Sequence, residues 1–496
     1  ASKEGLVNND ANQKIINAAT KNPAASGSVS YHTMNSYFGR VFYSYADKYM
    51  ITANIRWDGS SNFADKHRWG VFPSVSGGWN FREESFIKDV VGDWFSQGKF
   101  RAAWGEIGNQ NISSGAYLTR YGNSTYYLLG NSMTPWLSGG RTNVGNPDLR
   151  WETTRQLDFG LDLAFFNSAL KFNIDYFDRK TSDMLVQVPM PAAIGLPNTP
   201  WSNAGSVKNR GFEFVLDYHG KIGNDFSYNI AGNISTYKNK VLSLGGGTNI
   251  PGKTHLGNQV NTMIEPGKPI GYFYGYKMDG VFQTQEEINN YRGGPDNTII
   301  MPTAEPGDLK FVDLNGDGKL GEEDRTMICN PHPDFTFGLT LSGEYKGFDL
   351  SMFFQGSVGN DILNILKYDI YSGTGWYNAP KDIFDKFWTG PGSTNENFAI
   401  SANSRDNLTM SEWYIENGSY VRLKNVTLGY TFPKQWVQKL TVQNLRLFVA
   451  AQNLFTITSY SGLDPELGNS NPAFMGIDMG WYPQARSFMV GLSLKL

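Results

Sequence analysis

The residues best suited to do chemistry lie close together: Asp313, Asn315, Asp317, Gly318, Lys319 and Asp324. Side-chain oxygens fall at positions 1, 3, 5 and 12 of a loop, with glycine at 6. Lys319, at position 7, needs to offer only its backbone carbonyl. A hard cation such as Ca2+ gathers an all-oxygen cage at this spacing, and glycine permits the sharp turn inside it. Position 12 is Asp324 where glutamate is usual, so its bidentate reach is shorter. Leu309 to Val312 read as strand, so the loop would stand without flanking helices. The same residues also make an Asn-Gly/Asp-Gly turn with solvated acids. As a metal site it would stiffen a long loop; catalysis is not expected of it.

A second group is aromatic. Tyr126, Tyr127 and Trp136, then Trp376 and Tyr377, then Trp413 and Tyr414 fall in long polar segments. Aromatic faces beside Asn and Asp suit sugar stacking or peptide capture, and Trp136, Trp376, Tyr377 and Trp413 are the expected ligand contacts. Loop self-packing and interfacial belts explain the same residues. Ala379 to Trp388 places Ile383, Phe384, Phe387 and Trp388 at helical spacing behind Pro380, which suits a short loop helix. Gly245 to Gly247 is a turn and not a phosphate cradle, since no Lys-Ser/Thr pair follows. The histidines at 32, 67, 219, 255 and 332 lie in separate segments. No Ser-His-Asp or Cys-His arrangement can be drawn, so no enzyme is expected.

These residues must be held by something, and the chain of 496 residues has the composition of a large β protein. Aromatics make up 14%, charged residues only 18%, and there are 55 glycines. Such aromatics favour strands, and glycine serves the turns between them. The formal net charge of −3 gives no basic excess for nucleic acid. The single Cys329 excludes an intrachain disulfide framework. Residues Ala1 to Gly27 lack the apolar core of a secretory signal. No run of apolar residues is long enough for a spanning helix.

Period-two alternation carries the fold. Leu157, Phe159, Leu161, Leu163 and Phe165 alternate with Asp158, Gly160, Asp162 and Ala164. After Asn167-Ser168 the pattern resumes with Leu170, Phe172, Ile174 and Tyr176. One face is apolar and the other small or charged, as in a strand between lipid and a watery lumen, or in a large soluble sandwich. Connection lengths favour the barrel. Short links follow Tyr45, Phe165, His219, Tyr345 and Phe432. Long ones span Gly108 to Arg150, Lys180 to Ser206, Lys240 to Pro333, Asn360 to Asn417 and Thr456 to Gln484. Short turns on one side and long external loops on the other are the habit of outer-membrane barrels. The pattern gives about thirteen strands, beginning near Met34, Lys48, Trp69, Gly98, Leu149, Ala169, Val207, Asp225, Asp334, Phe348, Gly418, Gln443 and Ala485. An odd number does not close a single-chain bacterial barrel. The expectation is therefore the C-terminal part of a transmembrane antiparallel barrel, with residues 1–33 ending an external loop and 34–496 forming the wall and loops 240–333 and 360–417.

Several phrases resemble the SusC/RagA family of TonB-dependent transporters. They are ITANIRWDGSSNF with FPSVSGGWNF (Ile51 to Phe81), KFRAAWGEIGNQ (Lys99 to Gln110) and GNPDLRWETTRQLDFGLDL (Gly145 to Leu163). NAGSVKNRGFEFVLDY (Asn203 to Tyr218), PGDLKFVDLNGDGKL (Pro306 to Leu320) and ENGSYVRLKNVTLGYTFP (Glu416 to Pro433) follow, then AAQNLFTITSYSGLDPE (Ala450 to Glu466). The resemblance covers nearly the whole chain in family order, with Leu496 where the family often ends in Phe. It implies TonB-dependent import of oligosaccharides or peptides across the bacterial outer membrane. It also implies a SusD-like surface lipoprotein as partner and a barrel of about 22 strands around a plug. The plug, the TonB-contacting segment and roughly nine strands would come from a further part of the same transporter. A passive porin-like barrel and a soluble secreted calcium-binding carbohydrate module are the alternatives. An even strand count would favour the first, and solubility without detergent the second.

Overall fold

The computed structural model describes residues 2–6, 19–24, 31–128, 135–187, 200–245, 249–253, 259–371, 377–400, 406–437, 442–469 and 471–495. One antiparallel sheet of 13 strands dominates, and its spatial order follows the chain. The strands are β1 (Met34–Tyr45), β2 (Tyr49–Ser60), β3 (Trp69–Trp79), β4 (Phe95–Asn109), β5 (Glu152–Phe165), β6 (Leu170–Ser182) and β7 (Ser206–Ile222). They continue as β8 (Phe226–Ser243), β9 (Phe335–Tyr345), β10 (Phe348–Val358), β11 (Tyr420–Thr431), β12 (Asn444–Thr458) and β13 (Ser487–Lys495). Each starts within a few residues of the position read from alternation. Among the described residues, β1 pairs only with β2 and β13 only with β12, so the sheet keeps two free edges.

Register shows why the alternation sorts as it does. Residues opposite one another share a face. Phe100, Leu161, Ile174, Phe214, Ile234 and Phe337 therefore form one apolar row across six neighbouring strands. On the other face, Arg101 reaches Asp162 at 2.8 Å and Asp175 at 2.8 Å. Gly160 lies between them. A Cβ there would sit 2.6 Å from the Arg101 guanidinium, so glycine leaves the space in which the arginine lies flat. The apolar face is the exposed one: Phe488 and Val490 are each 74% accessible. A continuous apolar surface of this extent has no place in water and matches a hydrocarbon surround. No helix among the described residues is long and apolar enough to cross a membrane.

Turns are tight at one end. Lys346 and Gly347 have φ of 48° and 88°, the left-handed pair that joins β9 to β10 in two residues. The link 80–94 at that end is longer because it carries a helix, Ser85–Val91. At the opposite end, β8 leads into 244–334, β10 into 359–419 and β12 into 459–486. Residues Ser2–Leu6 and Ala19–Ala24 pair as a separate antiparallel ribbon.

Candidate functional site

Three of the long loops, 244–334, 359–419 and 459–486, condense into one body. Phe273, Phe282, Leu309 and Phe311 from the first, Leu363, Phe398 and Tyr414 from the second, and Ile477 from the third share a buried core. Backbone pairing locks them together. Asp361–Asn364 lies antiparallel to Ile415–Asn417 and parallel to Ile477–Asp478. Polar groups make further crossings. Asn407 accepts from Leu309 N at 2.7 Å and donates to Asp308 at 2.7 Å, while Thr262 Oγ1 donates to Ala473 O at 2.8 Å. The result is a cap with its own core at the long-loop end. A smaller core of Phe63, Phe72, Leu149 and Trp151 lies under the remaining loops at that end.

Asp313, Asn315, Asp317 and Asp324 come together in the cap, but their oxygens face the loop's own backbone. Asp313 accepts from Gly316 N at 2.7 Å and Gly318 N at 2.8 Å. Asp324, fully buried, accepts from Leu314 N at 2.9 Å, Asn315 N at 3.2 Å and Gly321 N at 2.8 Å. Asp317 accepts from Lys319 N at 2.8 Å. Gly318 has φ of 85°, and a Cβ there would meet Gly293 O at 2.4 Å, so glycine is required by the backbone alone. Among the described residues no group of three or more His, Cys, Asp or Glu side chains is disposed around a common metal position. The loop is held by hydrogen bonds, and these do not form a ready cation cage.

The aromatic candidates separate. Trp413, expected as a stacking surface, is 6% exposed and packs against Phe398 at 4.9 Å between ring centres, Tyr414 at 4.9 Å and Tyr371 at 6.2 Å. Its Nε1 donates to Asn397 Oδ1 at 3.0 Å. Its faces serve the cap core, and it also lines the cap cavity described below. Tyr377 is exposed. Trp376 lies outside the described residues. The backbone of Trp136 pairs with Tyr127 in a ribbon, and its side chain lies outside the described residues. The expected helix over Ala379 to Trp388 shrinks to Ile383–Lys386 because Phe387 turns into the core.

Sequence reading missed a cavity of about 770 Å³ in the cap, walled by Lys367, Tyr371, Asp382, Lys386, Glu416 and Leu463. Lys367 Nζ lies 3.1 Å from Glu416 and donates to Trp413 O at 2.9 Å. Glu416 also accepts from Asn364 at 3.0 Å and from Ser461 N and Oγ, each at 2.9 Å. Burial works to raise the Glu416 carboxyl, but Lys367 and these donors outweigh it and hold it below its ordinary value. Burial pushes the Lys367 amine down. Tyr371 donates to Asp382 at 3.0 Å, and burial with that contact pushes its phenol up to about 12. Nearby, Arg422 reaches Asp464 at 2.5 Å and Glu466 at 2.7 Å, pinning β11 to the third loop. No spacing rule finds these pairs. The lining presents ammonium, carboxylate and phenol groups, which suit hydrogen bonding to a polar ligand.

Residues 5–454 match a family described as TonB dependent receptor-like, beta-barrel. The chain is 35% identical to TonB-dependent receptor P3 of Formosa agariphila, over 100% of this chain and 49% of the relative. It is 32% identical to TonB-dependent receptor SusC of Bacteroides thetaiotaomicron, over 94% of this chain and 44% of the relative. The chain thus spans about half the length of the curated relatives it matches. The solved structure of the RagAB peptide transporter has the same fold, with a TM-score of 0.79 at 24% identity, over 98% of this chain and 50% of that one. With its lipid-facing wall and polar inner face, this chain belongs to the TonB-dependent receptor-like β-barrel family of the bacterial outer membrane.

Proposed function

We propose that the protein containing this chain imports nutrient oligomers, oligosaccharides or peptides, through a TonB-coupled barrel working with a SusD-like lipoprotein. The observation that carries the reading is the cap: loops far longer than strand connections need fold into one body over a polar-walled lumen. The relatives include one named SusC and, by fold, a peptide transporter. The free edges of β1 and β13 would pair with a further segment of the transporter, giving about 22 strands around a plug. That segment would supply the contact to TonB. The soluble-module alternative is set aside by the lipid-facing wall and the outer-membrane family.

The cap cavity is the proposed ligand contact, with Tyr377 at the cap surface. The test is uptake of labelled peptides and oligosaccharides by cells carrying the protein, with and without TonB. One class should accumulate only when TonB is present. Accumulation of small solutes of every class without TonB would favour the passive pore.

A further inference from the structure

The register across β4 to β8 places charge on the lipid-facing side at one height. At mid-wall the outward rows are apolar. Nearer the long-loop end, Glu106 faces Arg155, Arg155 faces Lys180, Lys180 faces Lys208 and Lys208 faces Lys240. One row inward, Asp178 faces Arg210 and Arg210 faces Lys238. Like charges directly opposite on one sheet face repel. A row of Arg155, Lys180, Lys208 and Lys240 therefore calls for anions, and the chain supplies few. Arg155 lies 2.6 Å from Glu106, and Lys208 lies 2.7 Å from Asp178. Among the described residues, Lys180, Arg210, Lys238 and Lys240 are exposed and have no ion-pair partner. Near the same end of other strands the outward residues are apolar: Trp57 on β2, Phe337 on β9, Phe455 and Ile457 on β12.

The wall is also indented there. Arg210 and Lys238 border a recess of about 390 Å³ lined by Tyr176, Phe212 and Thr236, with Asp334 as its one acidic side chain. The Tyr176 and Phe212 rings pack with centres 5.1 Å apart. Aromatic rings of this kind mark the membrane interface, so the cations just beyond them stand at headgroup level. An apolar slot headed by cations fits an amphiphile with an acyl chain and a multiply charged anionic head. Guanidinium and ammonium groups recognise phosphate in particular.

We propose that this face binds the phosphate groups of a phosphorylated glycolipid in the outer leaflet, with an acyl chain lying along Tyr176 and Phe212. The proposal rests on the long loops facing outward, and is otherwise independent of what the transporter imports. To test it, the protein is extracted from outer membranes in mild detergent and stripped of lipid. It is then titrated with phosphorylated lipid A and with the same lipid after enzymatic dephosphorylation. The phosphorylated form should bind about tenfold tighter or more, and the triple substitution Arg210→Gln, Lys238→Gln, Lys240→Gln should abolish that preference. Lys221→Gln, at the opposite end of β7, should leave it intact. Equal binding of the two lipids to the unsubstituted protein overturns the proposal, whether or not the triple variant folds. So does a preference that survives the triple substitution. Competition by millimolar inorganic phosphate would instead assign a free-anion site and overturn the lipid.

Discussion

On the wall, Phe488, Val490 and Leu492 lie open, whereas in the cap Phe273, Leu309 and Ile365 are completely enclosed. The two regions draw on the same residue types. They differ in what surrounds them. The wall turns its apolar rows toward hydrocarbon and keeps ion pairs such as Arg101 to Asp162 inside. The cap stands in water, so it folds inward around a core and leaves Lys, Asp and Asn at its surface. Exposure of an aromatic therefore means opposite things in the two places. On β13 it is the stable state; in the cap an exposed ring such as Phe384, 84% accessible, stands apart from the core.

The comparison is broken most forcefully by deleting a ring in each region. Phe273→Ala removes a fully buried side chain and should cost the cap about 3–5 kcal/mol. Limited proteolysis should then cut the three long loops while the barrel still resists heat in detergent gels. Phe488→Ala, on the exposed face, should change neither readout. If the barrel unfolded with the cap, the two would be one cooperative unit. A charge gives the converse test. Val449→Arg at mid-wall on β12 should cost about 2–4 kcal/mol, read as poorer insertion into outer membranes. Leu463→Arg on the cap surface should stay within about 0.5 kcal/mol. Equal effects at both positions would mean that lipid does not surround the wall.

The wall was legible because its signal is local. Leu157 to Phe165 alternates within one strand, and β5 takes the face that the alternation assigns. The cap was not, because its contacts are remote. Its strands are short, as Leu309–Phe311 and Ile477–Asp478 show, too short for any period to register. Its decisive contacts join residues far apart in sequence, such as Asp308 with Asn407 and Thr262 with Ala473. Arg422 and Glu466 sit in two phrases, SYVRLKN and GLDPE, that sequence reading singled out separately. Only the fold shows that they touch. Trp413 was expected in an exposed loop and lies buried for the same reason. A tryptophan in a polar stretch looks exposed until distant loops supply its core. The Asp313 loop was found by spacing, yet spacing says nothing of where the oxygens point.

A smaller effect should mark the seam between wall and cap. His332, at the base of the first loop, is buried, with Nδ1 3.1 Å from the Tyr237 hydroxyl on β8 and Nε2 3.0 Å from Ile270 O. Nε2 must donate to that carbonyl, so Nδ1 accepts from Tyr237. Burial lowers the His332 pKa below 6.5. The neutral ring is the folded form. Its contribution is fully present above pH 6.5 and is lost as pH falls through the depressed value, because the unfolded loop takes up the proton first. Amide protection at the base of the 244–334 loop, taken relative to the intrinsic exchange rate, should therefore fall as the pH drops below 6.5. His332→Gln should flatten that response. An unchanged slope in the variant would place the titration elsewhere.

The smallest expected effect concerns Ca2+ at Asp313, Asn315, Asp317 and Asp324, with Lys319 giving its carbonyl. Both Asp313 oxygens, Asp317 Oδ1 and Asp324 Oδ2 each accept one backbone N–H and keep a second lone pair, whereas Asp324 Oδ1 accepts two, so a cation can be added without breaking every bond of the loop. The side chains would have to turn toward a common centre, and that rearrangement weakens binding. An affinity of the kind seen in extracellular modules, about 10⁻⁴ to 10⁻³ M, follows. At about 1 mM Ca2+ such a site stabilises the folded loop by about 0.4–1.4 kcal/mol. Added Ca2+ should slow proteolysis between Leu309 and Cys329 and leave the wall untouched. Asp317→Asn should remove the effect while keeping the turn, because Asn can still accept the Lys319 N–H. No protection at millimolar Ca2+ would make this a hydrogen-bonded turn and nothing more.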